Sequence, residues 1–187
     1  MLSTRERLPG PEIFAPGARN DAARKEYGDW FAAIMRHEWF ANGVMLGYRY
    51  DGSPIVWADG TPAPPDESHP YVQTARPGAR APHVWLGDGR STLDLYGRGF
   101  VLLRLGQRPP SSTSIEQAAQ QRGVPLTSIA IDDAKVLAAY ERKLLLVRPD
   151  GHVAWRANQE PADASVLIDV IRGQGNQIQQ QKLGSKS

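Results

Sequence analysis

Apolar residues recur at helical spacing from about residue 21 to residue 40. Ala23, Tyr27, Trp30, Phe31 and Ile34 make one stripe, which predicts an amphipathic helix. Val44, Leu46, Tyr48 and Tyr50 then alternate up to an Asp51-Gly52 turn signal, and residues 55–57 are apolar again. This predicts two short strands. A proline-crowded stretch, "PAPPDESHPYVQTARPGARAP", follows and reads as a crossing linker or a binding loop. Beyond it the patterns are sharper. "PHVWL" predicts a short strand, "STLDLY" a helical turn and "GFVLLRLG" a buried strand. "TSIEQAAQQRG" predicts a helix with a Thr113–Glu116 capping box and Gly123 as its stop. "PLTSIAI" is a further strand. Asp132 or Asp133 caps a short helix carrying Val136, Leu137 and Tyr140.

"LLLVRPDGHVAWRA" predicts a β-hairpin. Pro149 and Asp150 suit the turn corners, Gly151 accepts a left-handed conformation, and Val153 and Trp155 fall in register on one buried face. Pro161 opens a last helix with Ala164, Leu167, Ile168 and Ile171 on one side and Gly173 after it. From Gly99 the order is β-α-β-α-β-β-α. The crossover helix makes the first pair of strands parallel and the hairpin adds an antiparallel edge, which is the thioredoxin-like α/β plan. The expected division is an extended arm over 1–20, a helix with short strands and a linker over 21–81, a thioredoxin-like domain over 82–173, and a polar, flexible tail over 174–187.

The 187 residues suffice for one domain with a core. With 22 basic against 20 acidic residues and no basic block, nothing points to nucleic acid. There are no cysteines, which excludes disulfides and thiol redox chemistry carried by this chain. In a redox thioredoxin fold the thiols lie between the first strand and its helix. Here that place is "GQRPPSSTSIEQ", with hydroxyls and no sulfur. No run is long enough to span a membrane and the N-terminus has no apolar signal core, so a cytoplasmic protein is expected. No Gly-x-Gly-x-x-Gly turn follows a strand, no P-loop occurs, and no nucleophile elbow frames a serine. The histidines, His37, His69, His83 and His152, are scattered. His37-Glu38 lacks a second histidine four residues on, so a zinc helix is not supported. His152 reads as a sheet-face residue, and Asp132-Asp133 as a helix cap rather than an acid pair.

Four stretches taken together carry a resemblance: "GVMLGYRYDGSPIV", "ARPGARAPHVWL", "STLDLYGRGFVLLRLG" and "LLLVRPDGHVAWRA". In order and spacing, from about residue 21 to residue 171, they resemble the C-terminal part of the FAD-dependent aromatic-ring hydroxylases. The class meant is the phenol and chlorophenol monooxygenases, with the polyketide hydroxylases among them. The resemblance implies a three-part architecture: an FAD domain, a substrate-covering middle domain and a thioredoxin-like C-terminal domain that has lost its cysteines. It implies FAD and NADPH as the cofactors of the full-length enzymes, which form a flavin hydroperoxide that hydroxylates a phenol ring. For this chain it implies no cofactor, no catalytic residue and no metal site, because the FAD domain and most of the substrate domain have no matching positions.

Two functions compete. In the first, the chain is a non-catalytic C-terminal fragment or truncated relative of such a monooxygenase, acting in domain packing or oligomerisation. Its expected partner is the flavin and substrate domains or a chain that carries them. A homodimer through Tyr27, Trp30, Phe31 and Ile34 is also expected, because so large an aromatic face on a leading helix calls for cover. In the second, it is a stand-alone small-ligand or protein-binding module whose loop holds an acidic or phenolic ligand with Arg76, Gly78, Arg80 and His83.

Overall fold

The computed structural model describes residues 10–39, 41–66 and 70–175. A 3-10 turn at Pro11–Phe14 leads into α1, Ala18–Trp39, which begins three residues ahead of the expected start. The extended arm is therefore interrupted before residue 20. Gly17, with φ 129, is the break, and its carbonyl accepts from Asn20 N and Asp21 N to start the helix. Arg24 ties the turn to the helix by donating to Ile13 O at 2.9 Å and Ala15 O at 2.8 Å. The tail beyond residue 175 and the helix end at Phe40 lie outside the described residues.

The strand expected at 44–50 is not formed. Asn42–Gly47 is instead a short helix, α2, started by bonds from Val44 N and Met45 N to Ala41 O. A strand there would need a free sheet edge, and the neighbouring edge is already taken by residues 78–81, as described below. Residues 55–57 likewise form no ladder. Trp57 N makes one bond to Ala154 O at 2.8 Å. "PHVWL" gives only an isolated bridge between Trp85 and Ser91, while the helical turn is present at Thr92–Leu95 with a Ser91–Asp94 capping box.

The thioredoxin-like plan is present. β1 (Phe100–Leu105), α3 (Thr113–Gln121), β2 (Leu126–Ile131), α4 (Ala134–Tyr140), β3 (Leu144–Val147), β4 (Val153–Ala157) and α5 (Ala164–Ile171) follow in order. The sheet runs β2-β1-β3-β4, with β1 and β2 parallel and the other pairs antiparallel. Side chains alternate across β1. Leu102 enters a core with Ile115, Leu167 and Ile168 of α3 and α5, while Val101, Leu103 and Leu105 enter a second core with Val136 and Tyr140 of α4. The result is three layers, with one helix pair on one face of the sheet and α4 with the proline-rich loop on the other.

Three local expectations change. Val153 and Trp155 do not share a face. A bulge pairs Leu146 with Trp155 but Val147 with Val153, so Ala154 is an extra residue and the pleat shifts by one. Trp155 therefore packs in the α3–α5 core and Val153 in the α4 core. The Thr113–Glu116 box is replaced by a tertiary cap. Ser112 precedes α3 without capping it, and the Glu160 carboxylate accepts from Ser114 N at 2.8 Å and Ile115 N at 3.2 Å. The last helix starts later than Pro161, because Asp163 caps it through Ser165 N and Val166 N. Asp133 caps α4 in the same way.

The hairpin turn is built as its residues predict. Gly151 N donates to Arg148 O at 2.9 Å, and Gly151 has φ 78. An added Cβ would meet only Tyr96 at 3.9 Å, so the obstacle to substitution is the backbone and not space. Gly151→Val is expected to destabilise the domain by roughly 1–3 kcal/mol. An unchanged urea midpoint would show that a β-branched residue is tolerated there.

Candidate functional site

The two motifs that stand far apart in sequence, "RPGARAPH" and "RPDGHVAWR", lie side by side. Gly78 N donates to Val153 O at 2.7 Å, Val153 N to Ala79 O at 2.9 Å and Ala81 N to Gly151 O at 2.8 Å, and Arg80 bridges to His152. The loop thus covers the exposed edge of β4. Gly78, at φ 93, lets a second segment close in: Tyr50 N donates to Gly78 O at 3.0 Å, and a Cβ on Gly78 would stand 3.2 Å from Tyr50 O. At the far end of the loop the buried Tyr140 hydroxyl donates to Pro82 O at 2.6 Å and accepts from Tyr96.

The four residues expected to form a ligand loop are used in different ways. Arg76 is committed internally, to the Asp51 carboxylate and, at 2.9 Å, to Thr61 O. Arg76 first, and Arg49 with it, hold the Asp51 carboxyl below its usual range against the opposing effect of burial. Gly78 acts through its backbone. His83 holds Ser91 Oγ at 2.7 Å through Nδ1 and lies edge-on to Trp85 at 4.8 Å. Arg80 lines an open recess of about 490 Å³ beside Tyr48, Tyr71 and the end of α2.

His152 packs against Tyr48, which lines this recess. It is 1% exposed, and its ring lies 5.1 Å from the Tyr48 ring and 4.8 Å from the Tyr50 ring. The Arg148 guanidinium lies over the Tyr50 ring at 4.8 Å. Desolvation lowers the pKa of His152, and the nearby Arg80 and Arg148 add to this against the pull of Asp150, so the ring is neutral at pH 7. Neither His152 ring nitrogen makes a hydrogen bond among the described residues. Asp150 Oδ1 is 3.5 Å from Nδ1, which is too long. Arg80 Nε and Arg148 Nη1 are also buried without an acceptor. Sequence reasoning found Arg80 but not its companions. Tyr48 and Tyr50 read as strand residues and His152 as an ordinary sheet-face residue, and no local signal brings the three together.

The place where redox thiols would sit is filled from within. Glu160 covers the α3 N-terminus, accepting also from Ser114 Oγ at 2.7 Å. Burial pushes the Glu160 pKa up, but the bonds from Ser114 and Ile115 outweigh it and hold the carboxyl below 4.5. A depressed folded pKa means that the stabilisation is whole above the unfolded value and is lost as pH falls through the folded one. Glu160→Ala is expected to cost roughly 0.5–2 kcal/mol at neutral pH, the worth of a helix cap, and less below about pH 4. Thermal melts of both proteins across that range check it. A deficit that does not shrink in acid would place the loss elsewhere.

Among the described residues no helix is long and apolar enough to cross a membrane, and no cluster of His, Asp and Glu could hold a metal.

A family profile described as "Aromatic-ring hydroxylase, C-terminal" matches residues 74–173, from the loop that covers β4 to the end of α5. Among curated proteins, the chain is 35% identical to 2,4-dichlorophenol 6-monooxygenase of Cupriavidus pinatubonensis, over 90% of this chain and 30% of that protein. It is 40% identical to tetracenomycin B2 monooxygenase-dioxygenase of Streptomyces olivaceus, over 68% of this chain and 25% of that protein. Among solved structures, the substrate-free rebeccamycin biosynthetic enzyme RebC superposes with a TM-score of 0.73 at 38% identity, covering 91% of this chain and 31% of that one. Aklavinone-11 hydroxylase in a ternary complex with FAD and aklavinone gives a TM-score of 0.54 at 30% identity, over 72% and 27%. The chain thus spans between a quarter and a third of the length of these relatives.

Proposed function

The chain belongs to the family of C-terminal domains of FAD-dependent aromatic-ring hydroxylases, and from that membership we propose that it is a non-catalytic packing unit of an aromatic, phenol-type monooxygenase. The observation that carries this is the extent of the likeness: most of the chain aligns, but to only 25–30% of the curated relatives' length. The domain that matches is the cysteine-free thioredoxin-like one, whose catalytic corner is occupied by its own Glu160. In this reading FAD and NADPH are bound by the polypeptide on which the domain packs. The chain alone is expected to be colourless and to quench no FAD fluorescence. Micromolar FAD affinity would overturn that assignment.

Oligomerisation is the second part of the proposal. On α1 the rings of Tyr27, Trp30 and Phe31 cluster, with centroids 5.4 Å apart for Tyr27–Trp30 and 6.0 Å for Tyr27–Phe31. These three and Ile34 are half-buried, which leaves part of each side chain for a second copy to cover. Light scattering at two concentrations is expected to show a dimer. A monomer of 20.6 kDa at both would end this part of the reading.

The alternative, a stand-alone small-ligand or protein-binding module of thioredoxin-like fold, is favoured by the Arg80 recess with its unpartnered nitrogen.

A further inference from the structure

The recess beside Arg80 opens beside an apron of exposed apolar side chains. In α2 no residue is buried, and Val44 and Met45 are 62% and 64% exposed. Val72, across the recess, is 67% exposed. A six-residue helix that buries nothing has no reason within its own fold to carry a Val-Met-Leu run, because such a run contributes to stability only when it is covered. Tyr48 lines the recess, and the buried His152 ring packs against it and against Tyr50. Arg80 forms the wall.

Among the described residues, Arg80 Nε, on a residue that lines the recess, is a buried donor without a hydrogen bond, and Arg148 Nη1 and the neutral His152 ring nearby are unpaired as well. Buried donors left open are costly, and natural structures rarely keep them unpaired. The carboxylates nearby already have partners: Asp150 serves Arg148 Nη2 at 2.8 Å and His152 N at 3.1 Å, and Asp51 serves Arg76 and Arg49. What Arg80 Nε lacks is an acceptor, which a carboxylate entering the recess would supply.

We infer that this recess is the docking point for the rest of the hydroxylase polypeptide, which lays an apolar segment on α2 and Val72 and delivers one Asp or Glu carboxylate to Arg80. The inference rests on the packing role proposed above and supplies the chemistry of the contact. The apolar apron provides the area and the buried ion pair the register. A free small anion suits the site less well. It would satisfy Arg80 but leave the apron uncovered.

The test uses the whole chain and a set of overlapping 15-residue peptides covering the part of RebC outside the matched region. Binding is followed by fluorescence polarisation and by the NMR signals of His152 and the tyrosine rings. The expected result is that peptides with an acidic residue among apolar ones bind and shift the Tyr48, Tyr50 and His152 signals. Arg80→Gln, or Glu→Gln in the peptide, should weaken binding at least tenfold, and Arg80→Lys less. Because Arg80 Nε holds nothing in the isolated fold, the variants should remain folded. Unchanged melting curves establish this, and a Tyr48→Ser variant gives the same reading if they do not. Peptides that bind but shift signals on another face would overturn this docking point and leave the packing role standing. If no peptide binds, this docking point falls, and the packing role is left to the flavin content of a full-length hybrid. If sodium benzoate alone shifts the same signals more strongly than any peptide, the site is one for small aromatic acids and the inference is overturned.

Discussion

Trp155→Ala should lower the stability of the domain by roughly 3–5 kcal/mol, the usual cost of deleting a buried tryptophan. Trp155 is only 5% exposed. It stands opposite Leu146, in the core where Leu102, Ile115, Leu167 and Ile168 bring the sheet against α3 and α5. The bulge at Ala154 is what points it there, and the ordinary pleat would have sent it with Val153 to the other face. The site cannot close by a small adjustment, because both helices are anchored across it by Arg122 of the α3 C-cap, which donates to Asp169 of α5 at 2.7 and 3.0 Å. In a chain of this size the expected fall in melting temperature is about 10 °C. A shift of only one or two degrees would mean that the tryptophan is not central to this core.

The second large effect concerns Arg156, its neighbour on β4. Arg156 is a charged residue only 3% exposed. Its Nε donates to Asp59 at 2.7 Å, Nη1 to Glu141 at 2.8 Å and Nη2 to Thr61 Oγ1 at 3.1 Å. Glu141 is held at this point by a left-handed backbone, φ 62, at the C-cap of α4. The guanidinium therefore ties the linker at residues 59–61 to the sheet and to α4. Arg156→Ala should cost roughly 2–4 kcal/mol, because it deletes a buried guanidinium with its three bonds and leaves the partly buried Asp59 carboxylate without its countercharge.

The same pair predicts a pH dependence. Burial raises the Asp59 pKa, but bonds from Thr61 and Arg156 outweigh it and bring it down to about 2. The folded value is below the unfolded 3.8. The pair's contribution is therefore present above about pH 4 and lost as pH falls toward 2. Melting temperatures of the parent should drop in that window, and those of Arg156→Ala should drop less. Equal slopes would show that Asp59 is not the group concerned.

Both effects involve β4, and they show where the sequence was legible. Strong apolar runs bounded by turn residues, such as "FVLLRL" and "LLLV", were read correctly, because a buried strand needs no information beyond its own residues. The positive φ of Gly151 was legible for the same reason. The bulge was not, since whether Val153 and Trp155 share a face depends on how β4 registers with β3. The cap on α3 was misread because Glu160 reaches it from 46 residues away, whereas a capping box is a local pattern. The alternation at Val44, Leu46, Tyr48 and Tyr50 suggested a strand, but that region reaches β4 only after residues 78–81 have taken its edge. At the candidate site Arg80 was singled out from its loop, while its companions Tyr48, Tyr50 and His152 come from two other segments and meet it only in the folded chain.

The central claim is that this domain supports a flavin-binding polypeptide and does no chemistry itself. The most direct measurement is the flavin content and activity of a hybrid. In it, the matching C-terminal region of the Cupriavidus pinatubonensis 2,4-dichlorophenol 6-monooxygenase is replaced by this chain, which aligns with it at 35% identity over 90% of this chain's length. The expected result is a yellow protein with stoichiometric FAD that consumes NADPH in response to 2,4-dichlorophenol, alongside a colourless, inactive chain when this domain is alone. A colourless hybrid whose grafted domain is nevertheless folded, or flavin bound by this chain alone, would contradict it.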